Sequence, residues 1–291
     1  MFLRNRYDDS GSDFLATAGD SMIKIWDTSS GKSNTILRGA SGHFMLGVDI
    51  SGETAAGACT DKTCRVWNIR TKRMIHQLVG HQHKATCVRL FDKERSVITG
   101  SADRSMRVWD ISQNTYKQKV TLQHSSTTNS IDVSSGGTIA VSGHFDGGIR
   151  CWDLRSSERI FDLHDIHTGG GVTSVQMNPS NEVQVLTMGR DSIVKFIDLR
   201  TGETIHAMSD REFRVSENHA SCAISPDATY AACGSAATGH VFIWNLHQGT
   251  LENRLEHGHD AGIVSVAWGN GGSNGQQFAS VDKKGKLVLW S

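Results

Sequence analysis

The segment VITGSADRSMRVWD at residues 97–110 contains the features that decide the fold. A turn with Asp103 separates two short segments with alternating apolar residues, and the second segment ends at Trp109. Alternation around a tight turn predicts a β-hairpin. Six other segments repeat this pattern, and each ends at an anchor residue. The seven anchors are Trp26, Trp67, Trp109, Trp152, Ile197, Trp244 and Trp290.

The repeat length defines the architecture. Successive anchors are separated by 41, 42, 43, 45, 47 and 46 residues. Further strand candidates lie before and after most hairpins, such as ATCVRLF at 85–91 and MIHQLVG at 74–80. Four short strands in a unit of about 40–45 residues are typical of a WD-repeat blade. The sequence therefore predicts an all-β, seven-bladed WD-repeat β-propeller that forms a single domain over residues 1–291.

The two ends of the sequence leave the closing blade short of one strand. Only Ser291 follows the last anchor, and residues 1–14 barely supply an innermost strand for the first blade. We therefore expect the outer strand of the closing blade to be missing. This indicates either a fragment of a longer protein, which we favour, or a blade of three strands with an exposed edge.

A buried polar network is predicted within the blades, because a His–Ser/Thr–Asp–Trp set can link strands and a loop by hydrogen bonds. The third unit has intervals of 18, 4 and 6 residues between its members His81, Thr99, Asp103 and Trp109. The fourth unit has the same intervals between His124, Ser142, Asp146 and Trp152. The sixth and seventh units lack Asp at this position, so we expect less rigid hairpins there.

Composition and motifs argue against several classes of function. The 30 Lys and Arg residues balance 30 Asp and Glu residues, whereas a nucleic-acid-binding protein usually has a basic face. No apolar run is long enough for a transmembrane helix. Six cysteines without CxxC spacing indicate reduced thiols in a cytoplasmic protein.

Three patterns suggest chemistry, and each has a structural explanation. GGSNG at 271–275 fits a nucleophile-elbow motif with Ser273 as the nucleophile, but that motif needs a strand followed by a helix. Several of the 14 His residues lie in close pairs, whereas zinc needs three or four ligands. The tetrads resemble a catalytic triad in composition, but their repetition indicates a scaffold. We therefore predict no enzyme activity, no metal and no cofactor.

Protein binding is the function that the pattern favours. The hairpin turns of a propeller share one face, so the residues that precede the turns should all lie on it. These residues are Gly19, Thr60, Ala102, Phe145, Arg190, Ala237 and Lys283. Phe145 is a large apolar residue in the turn HFDGG, so it is either a partner-binding anchor or a packed turn residue. Arg190 and Lys283 add positive charge. Phe213, in the loop at 209–220, is either a partner contact or part of the loop packing.

A second surface leads to an alternative function. The run Trp152–Arg155, W-D-L-R, resembles the boxes by which some propellers dock onto cullin-type ubiquitin-ligase adaptors. The alternative is therefore a substrate receptor of such a ligase. The structural explanation is that W-D belongs to the repeat and that a nearby Arg pairs with an acidic neighbour.

Several segments resemble one family. SGHFDGGIRCWDLRSSERI at 142–160 and VKFIDLRTG at 194–202 are similar to the fourth and fifth blades of the C-terminal propeller of the autophagy-related protein 16 family. ISPDATYAACGSAATGHVFIWNL at 224–246 and SVDKKGKLVLW at 280–290 are similar to its last two blades. The resemblance covers essentially the whole chain.

The resemblance implies a non-catalytic scaffold. The N-terminal half of the family binds conjugating partners and forms a coiled-coil homodimer, and the complex directs attachment of a ubiquitin-like autophagy modifier to membrane lipid. The propeller is implied to recruit this machinery from the cytoplasm to autophagosome precursors and endolysosomal membranes, through proton-pump subunits or membrane-protein tails. Phe145 matches the family's Phe in GHFD. Gly171 stands where better-known members carry a lysine, which makes it a further partner-binding position.

Overall fold

The computed structural model describes residues 4–7, 14–269 and 277–290, apart from the side chains of residues 4–7 and Asn34. The described residues form 27 β-strands and no helix. The strands make seven antiparallel sheets, each built from consecutive strands of the chain. These sheets are the blades of a β-propeller, so the prediction of an all-β, seven-bladed fold is confirmed.

Each of the first six blades has four strands, which follow the chain order from the innermost to the outermost. Blades 1 to 3 consist of β1 (Arg4–Tyr7), β2 (Phe14–Gly19), β3 (Met22–Asp27), β4 (Lys32–Arg38), β5 (Met45–Ser51), β6 (Thr54–Cys59), β7 (Thr63–Asn68), β8 (Arg73–Val79), β9 (Ala85–Phe91), β10 (Ser96–Ser101), β11 (Ser105–Asp110) and β12 (Lys117–Gln123). Blades 4 to 6 consist of β13 (Thr128–Val133), β14 (Ile139–His144), β15 (Ile149–Asp153), β16 (Glu158–Leu163), β17 (Val172–Asn178), β18 (Asn181–Gly189), β19 (Val194–Asp198), β20 (Thr204–Met208), β21 (Cys222–Ile224), β22 (Tyr230–Gly234), β23 (Val241–Asn245) and β24 (Thr250–Leu255).

Blade 7 has three described strands, β25 (Ile263–Trp268), β26 (Phe278–Asp282) and β27 (Leu287–Trp290). The innermost strand β1 of blade 1 packs beside β25, which closes the ring. No described strand pairs with the outer edge of β27, as expected from the sequence for the closing blade.

Burial follows the position of a strand within its blade. Every residue of β6 is buried, because blades pack against both faces of the inner strands. The outer strand β8 instead has exposed residues at most positions, and only His76 and Leu78 are buried. The short apolar runs of the sequence therefore become inner strands, whereas the mixed segments form the rim.

Side chains of the innermost strands connect neighbouring blades. Asp49 of blade 2 accepts a hydrogen bond from the backbone N–H of Leu90 in blade 3, at 2.7 Å. Asp132 of blade 4 accepts one from Met177 in blade 5, at 2.8 Å. Arg89 lies between these carboxylates, with Nε 2.9 Å from Asp132 and Nη1 3.4 Å from Asp49. These contacts satisfy backbone groups that the sheets leave unpaired.

Blade 3 contains the predicted tetrad. His81 Nδ1 lies 2.8 Å from Asp103 Oδ2, and Nε2 lies 2.8 Å from Thr99 Oγ1. The indole N–H of Trp109 donates to the same hydroxyl at 2.9 Å. Burial raises the pKa of Asp103, but hydrogen bonds from Ser105, Gln82 and His81 outweigh it and lower the pKa to about 2. The ionised carboxylate can only accept, so the His81 proton resides on Nδ1.

Blade 4 departs from the expected set, and the assignment of His124 was wrong. Trp152 does donate to Ser142 at 2.9 Å, but the imidazole 2.8 Å from that hydroxyl belongs to His144. His144 is two residues after Ser142 in β14, so both side chains lie on one face of the strand. Asp146 pairs instead with the fully buried Arg150, at 2.8 Å.

His124 has a different partner. Its Nε2 lies 2.8 Å from Thr128 Oγ1, and its ring packs edge-on against His144 with the centroids 4.5 Å apart. The spacing therefore predicted the Ser142 and Trp152 members of the blade 4 network correctly, but it assigned the wrong histidine to it.

Blades 5 and 7 contain networks that the equal-interval search missed. His167 bonds to Thr187 and Asp191 at 2.9 Å each, and Ile197 stands at the anchor position. Blade 7 has a complete tetrad of His259, Ser280, Asp282 and Trp290. Position 284, six residues before the anchor, is Lys, as the sequence shows, but Asp282 at the end of β26 supplies the carboxylate two residues earlier than in blade 3. The absence of Asp from position 284 therefore does not remove the network from blade 7.

Blade 6 does lack the network. Gly234 stands ten residues before Trp244, where blade 3 has its Thr, and the Trp244 indole N–H has no hydrogen-bond partner. A Cβ at Gly234 would lie 2.3 Å from Cγ2 of Ile263, so a serine does not fit without rearrangement.

Replacing Thr99 with valine tests the importance of the buried hydroxyl. We expect Thr99→Val to lower the free energy of unfolding by about 2 kcal/mol, because the Trp109 indole and the His81 imidazole lose their partner while volume is kept. Urea denaturation measures this. Thr121→Val on the outer strand of the same blade is the control and should cost less than about 0.5 kcal/mol. Equal losses in the two variants would show that the hydroxyl contributes little.

Candidate interaction face

One face of the propeller carries the hairpin turns and the loops that lead into the blades; we call it the turn face. On it, in blades 2 to 7, the N–H of the residue before the turn donates to a carbonyl of the loop leading into the same blade. These pairs are Thr60 to Phe44, Ala102 to Lys84, Phe145 to Thr127, Arg190 to Gly171, Ala236 to Arg214 and Lys283 to Gly262. The blade 6 member is therefore Ala236, one residue before the Ala237 expected from the sequence.

Phe145 lies exposed on a rigid backbone. Its side chain is 54% exposed. Its N–H donates to the Thr127 carbonyl at 2.9 Å, and the N–H of His144 donates to Gly148 at 3.0 Å. Gly147 has a φ of 83°, and a Cβ there would lie 2.3 Å from the His167 carbonyl oxygen. The turn is thus fixed on both sides while the ring faces solvent.

Phe44 is a second exposed aromatic residue, which the sequence analysis did not identify. Its side chain is 53% exposed, and its N–H donates to Thr60 Oγ1 at 2.9 Å. Phe44 immediately precedes β5, so in the sequence it cannot be told from the apolar residues of that strand. The signal that could have found it is its pairing with the residue before the blade 2 turn.

Positive charge accompanies these aromatic residues. Four exposed cations lie on the turn face, namely Lys62, Arg104, Arg190 and Arg214. Arg190 donates to the Asn218 amide oxygen at 3.2 Å, and Arg214 donates to the Phe213 carbonyl at 2.7 Å. Within residues 14–269 and 277–290, no carboxylate pairs with any of these four side chains. Exposed carboxylates lie on the same face, among them Asp20 in the turn of blade 1 and Asp165 in the loop into blade 5, so its charge is mixed and the cations mark local positive positions.

Lys283 and Phe213 have other contacts. Lys283 Nζ is 3.0 Å from Glu217 Oε1, so its charge is paired within the protein. Phe213 is 0% exposed and packs with its ring centroid 5.4 Å from that of Phe242 and 6.2 Å from that of Trp244. Phe213 is therefore a core residue of its loop, and its assignment as a partner contact was wrong.

Gly171 is also buried, so it offers no side chain or surface to a partner. A Cβ at this position would lie 2.9 Å from the Cα and 3.0 Å from the carbonyl oxygen of Phe145. Its assignment as a partner-binding residue was therefore wrong. Its role is to let the loop of blade 5 pass against the backbone of the Phe145 turn. The preceding Gly170 abuts Arg190 in the same way, because a Cβ at this position would lie 2.5 Å from the Cβ of Arg190.

Comparison with known proteins identifies the family. The WD domain, G-beta repeat family matches residues 8–27, 72–110 and 116–153. The chain is 34% identical over 281 residues to Protein tipD of Dictyostelium discoideum, covering 95% of the chain and 45% of that protein. Autophagy-related protein 16 of Arabidopsis thaliana is 30% identical over 95% of the chain and 53% of its own length. Autophagic-related protein 16.2 of Caenorhabditis elegans is 32% identical, over 96% and 52%.

The chain is a WD-repeat domain of the autophagy-related protein 16 family. It spans about half the length of these relatives. Among the described residues there is no helix long and apolar enough to cross a membrane.

The W-D-x-R run Trp152–Arg155 is echoed in the sequence by Ile197–Arg200 and Trp67–Arg70, and all three runs lie at the ends of third strands, away from the hairpin turns. Arg200 pairs with Asp198 at 2.7 Å, and Arg70 lies 3.4 Å from Glu53. Arg155 is exposed, and its backbone N–H donates to Asp153 at 2.7 Å. Two of the three arginines thus pair with acidic neighbours, as the structural explanation expects.

The residues considered for chemistry have structural partners or are exposed. His81, His167 and His259 belong to the blade networks, while His83, His164 and His257 are exposed. In the described part of the chain, no group of three or more His, Cys, Asp or Glu side chains could hold a metal ion. Ser273 of the nucleophile-elbow motif lies outside the described residues. The Thr99 hydroxyl is fully buried, which keeps substrate away from that tetrad.

Replacing Phe145 and replacing Phe213 should lower the stability by very different amounts. We expect Phe145→Ala to lower the free energy of unfolding by less than about 1 kcal/mol, because more than half of the side chain already faces solvent. Phe213→Ala should cost about 3–5 kcal/mol, because it leaves a cavity among aromatic rings. Urea denaturation compares the two. A large loss in Phe145→Ala would show that its ring packs in solution.

The histidine pair beneath Phe145 predicts a pH dependence. Burial and the charge of Arg150 lower the pKa of His124 to about 4, and burial, His124 and Arg150 lower the pKa of His144 well below its ordinary value. The folded protein therefore keeps both rings neutral, whereas the unfolded chain binds protons near pH 6.5. This contribution to stability is present above pH 6.5 and is lost as the pH falls toward 4.

Between about pH 7.5 and 5.5, the free energy of unfolding should fall less in His144→Gln than in the wild type. We expect the difference between the two decreases to be about 1.4 kcal/mol. Urea denaturation at the two pH values measures it. His83→Gln, at an exposed histidine, serves as the matched control. The same pH-dependent loss in the wild type and in His144→Gln would contradict the assignment.

Proposed function

We propose that this chain is a non-catalytic interaction scaffold of the autophagy machinery and that its partners bind the turn face around Phe145. The observation that carries this proposal is the exposure of the Phe145 ring, 54%, on a backbone that is hydrogen-bonded on both sides of the turn. An aromatic side chain on a rigid support loses little conformational entropy when a partner buries it. Aromatic and arginine residues are also the commonest hot spots of protein interfaces.

The local arrangement of Phe44, Arg104 and Phe145 on the turn face supports a partner segment that combines acidic and apolar side chains. Phe44 and Phe145 belong to blades 2 and 4, and blade 3 between them carries Arg104 at its turn. An extended acidic segment with an apolar residue near each end would match this order. Burial of the apolar residues would provide affinity, while the cations would direct the approach and set the register.

In the finer form of the proposal, the propeller recruits the lipid-conjugation complex of the ubiquitin-like autophagy modifier to endolysosomal or other single membranes. Recruitment takes place from the cytoplasm by binding proton-pump subunits or membrane-protein tails, so membrane association is indirect. The conjugating partners and a coiled-coil homodimer belong to the other half of the longer protein. The family names of the relatives and the resemblance of the GHFD segment support this form.

Arg190 supplies a positive charge next to Phe145 in place of the family lysine that aligns with Gly171. Gly171 abuts the Phe145 backbone, and Gly170 abuts Arg190, so the two side chains flank one loop. We propose that Arg190 contacts an acidic group of the partner whose apolar residue contacts Phe145.

Capture experiments with three variants test the site. The wild-type chain, Phe145→Ala, Arg190→Glu and Ile160→Ala are used as baits in cell extract, and captured proteins are quantified by mass spectrometry. Ile160 is the matched control, because it is 52% exposed on the outer strand β16. We expect proton-pump or endolysosomal membrane proteins to be captured by the wild type and by Ile160→Ala. For a hot-spot aromatic residue, the affinity of Phe145→Ala for such a partner falls about 30-fold or more.

Two outcomes would contradict the proposal. Unchanged capture by Phe145→Ala and Arg190→Glu would place the partner site away from the turn face. A cullin adaptor that is captured by the wild type and lost in Arg155→Ala would instead support the ubiquitin-ligase function.

A further inference from the structure

Two of the six cysteines face each other across the inner strands of blade 6. Cys222 begins β21 and lies directly opposite Cys233 of β22 in the antiparallel register. Residues that are directly opposite in a sheet project from the same face. The two thiols are hydrogen-bonded to each other. The fold therefore brings into contact two thiols that are separated by ten residues in the sequence.

The pair occupies the closer of the two kinds of site in an antiparallel sheet. The N–H of Cys222 donates to Ser174 Oγ of blade 5, and the N–H of Ile224 donates to Gln176 Oε1. Both N–H groups therefore point away from β22, so Cys222 and Cys233 form a non-hydrogen-bonded pair. The Cα atoms of such a pair lie about 4.5 Å apart, and a disulfide spans Cα distances of about 4.4–6.8 Å. The backbone can therefore accept a disulfide at this position.

Cys59 and Cys64 show that nearness in the sequence is not enough. Cys64 lies opposite Ala58, so Cys59, the next residue of that strand, projects from the other face of the sheet. These two cysteines accordingly belong to different hydrophobic clusters. The remaining two of the six lie in two further clusters. Cys222 and Cys233 share one cluster, which fills the space between blades 5 and 6.

Blade 6 is also the blade whose inner strands are held together least. It lacks the buried polar network, and the indole N–H of Trp244 has no hydrogen-bond partner. Its innermost strand β21 has three residues, fewer than any other described strand. A short strand is held by few ladder hydrogen bonds, so we expect β21 and β22 to separate locally more often than the inner strands of other blades.

We propose that Cys222 and Cys233 form a redox-modification site at which hydrogen peroxide generates a reversible disulfide between β21 and β22. Burial selects the oxidant, because Cys222 is 5% exposed and Cys233 is 0% exposed. Hydrogen peroxide is a small neutral molecule that can enter during a brief local separation of the strands. Burial also raises the pKa of the Cys233 thiol well above its ordinary value, which keeps this thiol neutral and unreactive while the strands are closed. The site does not depend on the function proposed for Phe145.

The reaction consumes one molecule of hydrogen peroxide and releases two molecules of water. One thiol loses its proton and attacks a peroxide oxygen, the O–O bond breaks, and the departing hydroxide takes up that proton to form the first water. The sulfenic acid that results is attacked by the second thiol. The S–S bond forms, the S–O bond breaks, and the hydroxyl group leaves with the second proton as water. The two sulfur atoms lose two electrons, which the peroxide gains.

The disulfide would give blade 6 a covalent connection in place of its missing polar network. It would tie the start of β21, where the loop at 209–220 enters the blade, to β22. That loop carries Arg214, whose carbonyl accepts a hydrogen bond from Ala236 on the turn face. Oxidation should therefore slow hydrogen exchange in the two inner strands of blade 6.

Peptide mapping tests whether the disulfide forms. Trypsin releases both cysteines in one peptide, residues 215–254, which contains no other cysteine. The folded chain is treated with an excess of hydrogen peroxide, the remaining thiols are alkylated in denaturant, and the peptide is identified by mass spectrometry. We expect a peptide that is lighter by two hydrogen atoms and carries no alkyl group. Dithiothreitol added before alkylation should restore two alkylated cysteines.

Two variants test the effect on the blade. Cys222→Ser removes one thiol of the pair with little change in volume, and Cys64→Ala is the matched control, because it removes a buried thiol outside the pair. Circular dichroism verifies that both variants fold. After peroxide treatment, hydrogen exchange at residues 222–224 and 230–234 should slow at least tenfold in the wild type and in Cys64→Ala, and it should not change in Cys222→Ser.

Three outcomes would overturn the proposal. The first is the absence of a disulfide in peptide 215–254 after the folded chain has been treated. The second is sulfinic acid at either cysteine in place of the disulfide, because the two thiols would then not be close enough to condense. The third is a disulfide that forms only when the chain is first unfolded in urea, because the fold would then not position the pair.

Discussion

A buried hydroxyl group within the second strand is the contact on which each complete blade depends. In blade 3 the Thr99 hydroxyl bonds to an indole on the third strand and to an imidazole from the loop that leads into the blade. The other nitrogen of that imidazole bonds to the aspartate of the hairpin turn. Two strands, one loop and one turn are thus joined by groups that are buried or, for the Asp103 carboxylate, nearly so, and an unpaired polar atom would be costly there. The rigidity of the turn face follows from this arrangement.

The variation of this network among blades determines where the turn face is well supported. Blade 6 has a glycine in place of the hydroxyl residue, and its anchor indole is unpaired. Blade 4, which carries Phe145, replaces the common aspartate–imidazole contact with a buried arginine and a pair of neutral histidines. Arg150 bonds to Asp146 of the turn and to Asp162 of the outer strand, so the turn below the exposed ring is connected to the rim of its blade. An exposed apolar side chain on such a support is suited to binding a partner.

Much of this organisation could be predicted from residue spacing. The tetrad of blade 3 and the positions of the seven anchor residues both follow from intervals along the chain. His124 shows the limit of spacing, because an imidazole two residues from Ser142 on the same strand is closer in space than one 18 residues away. Phe213 shows another limit: its loop is polar and charged, yet the loop folds back so that the ring packs on Phe242. Residue type alone predicts neither the histidine that bonds to Ser142 nor the burial of Phe213. Each depends on which side chains lie nearest to one another in the folded chain.

The sequence by itself determined the number of blades, the order of their strands and the anchor positions, because these depend on local periodicity and on a repeat that recurs seven times. It also identified Phe145, because an apolar residue in a glycine-rich turn stands out locally. Only the tertiary structure decided that Phe44 joins Phe145 on the turn face, that Lys283 is paired with Glu217, and that Gly171 is buried against the Phe145 turn. Exposure, pairing and close packing are relations between segments far apart in the chain, and they exist only once the blades have closed into a ring.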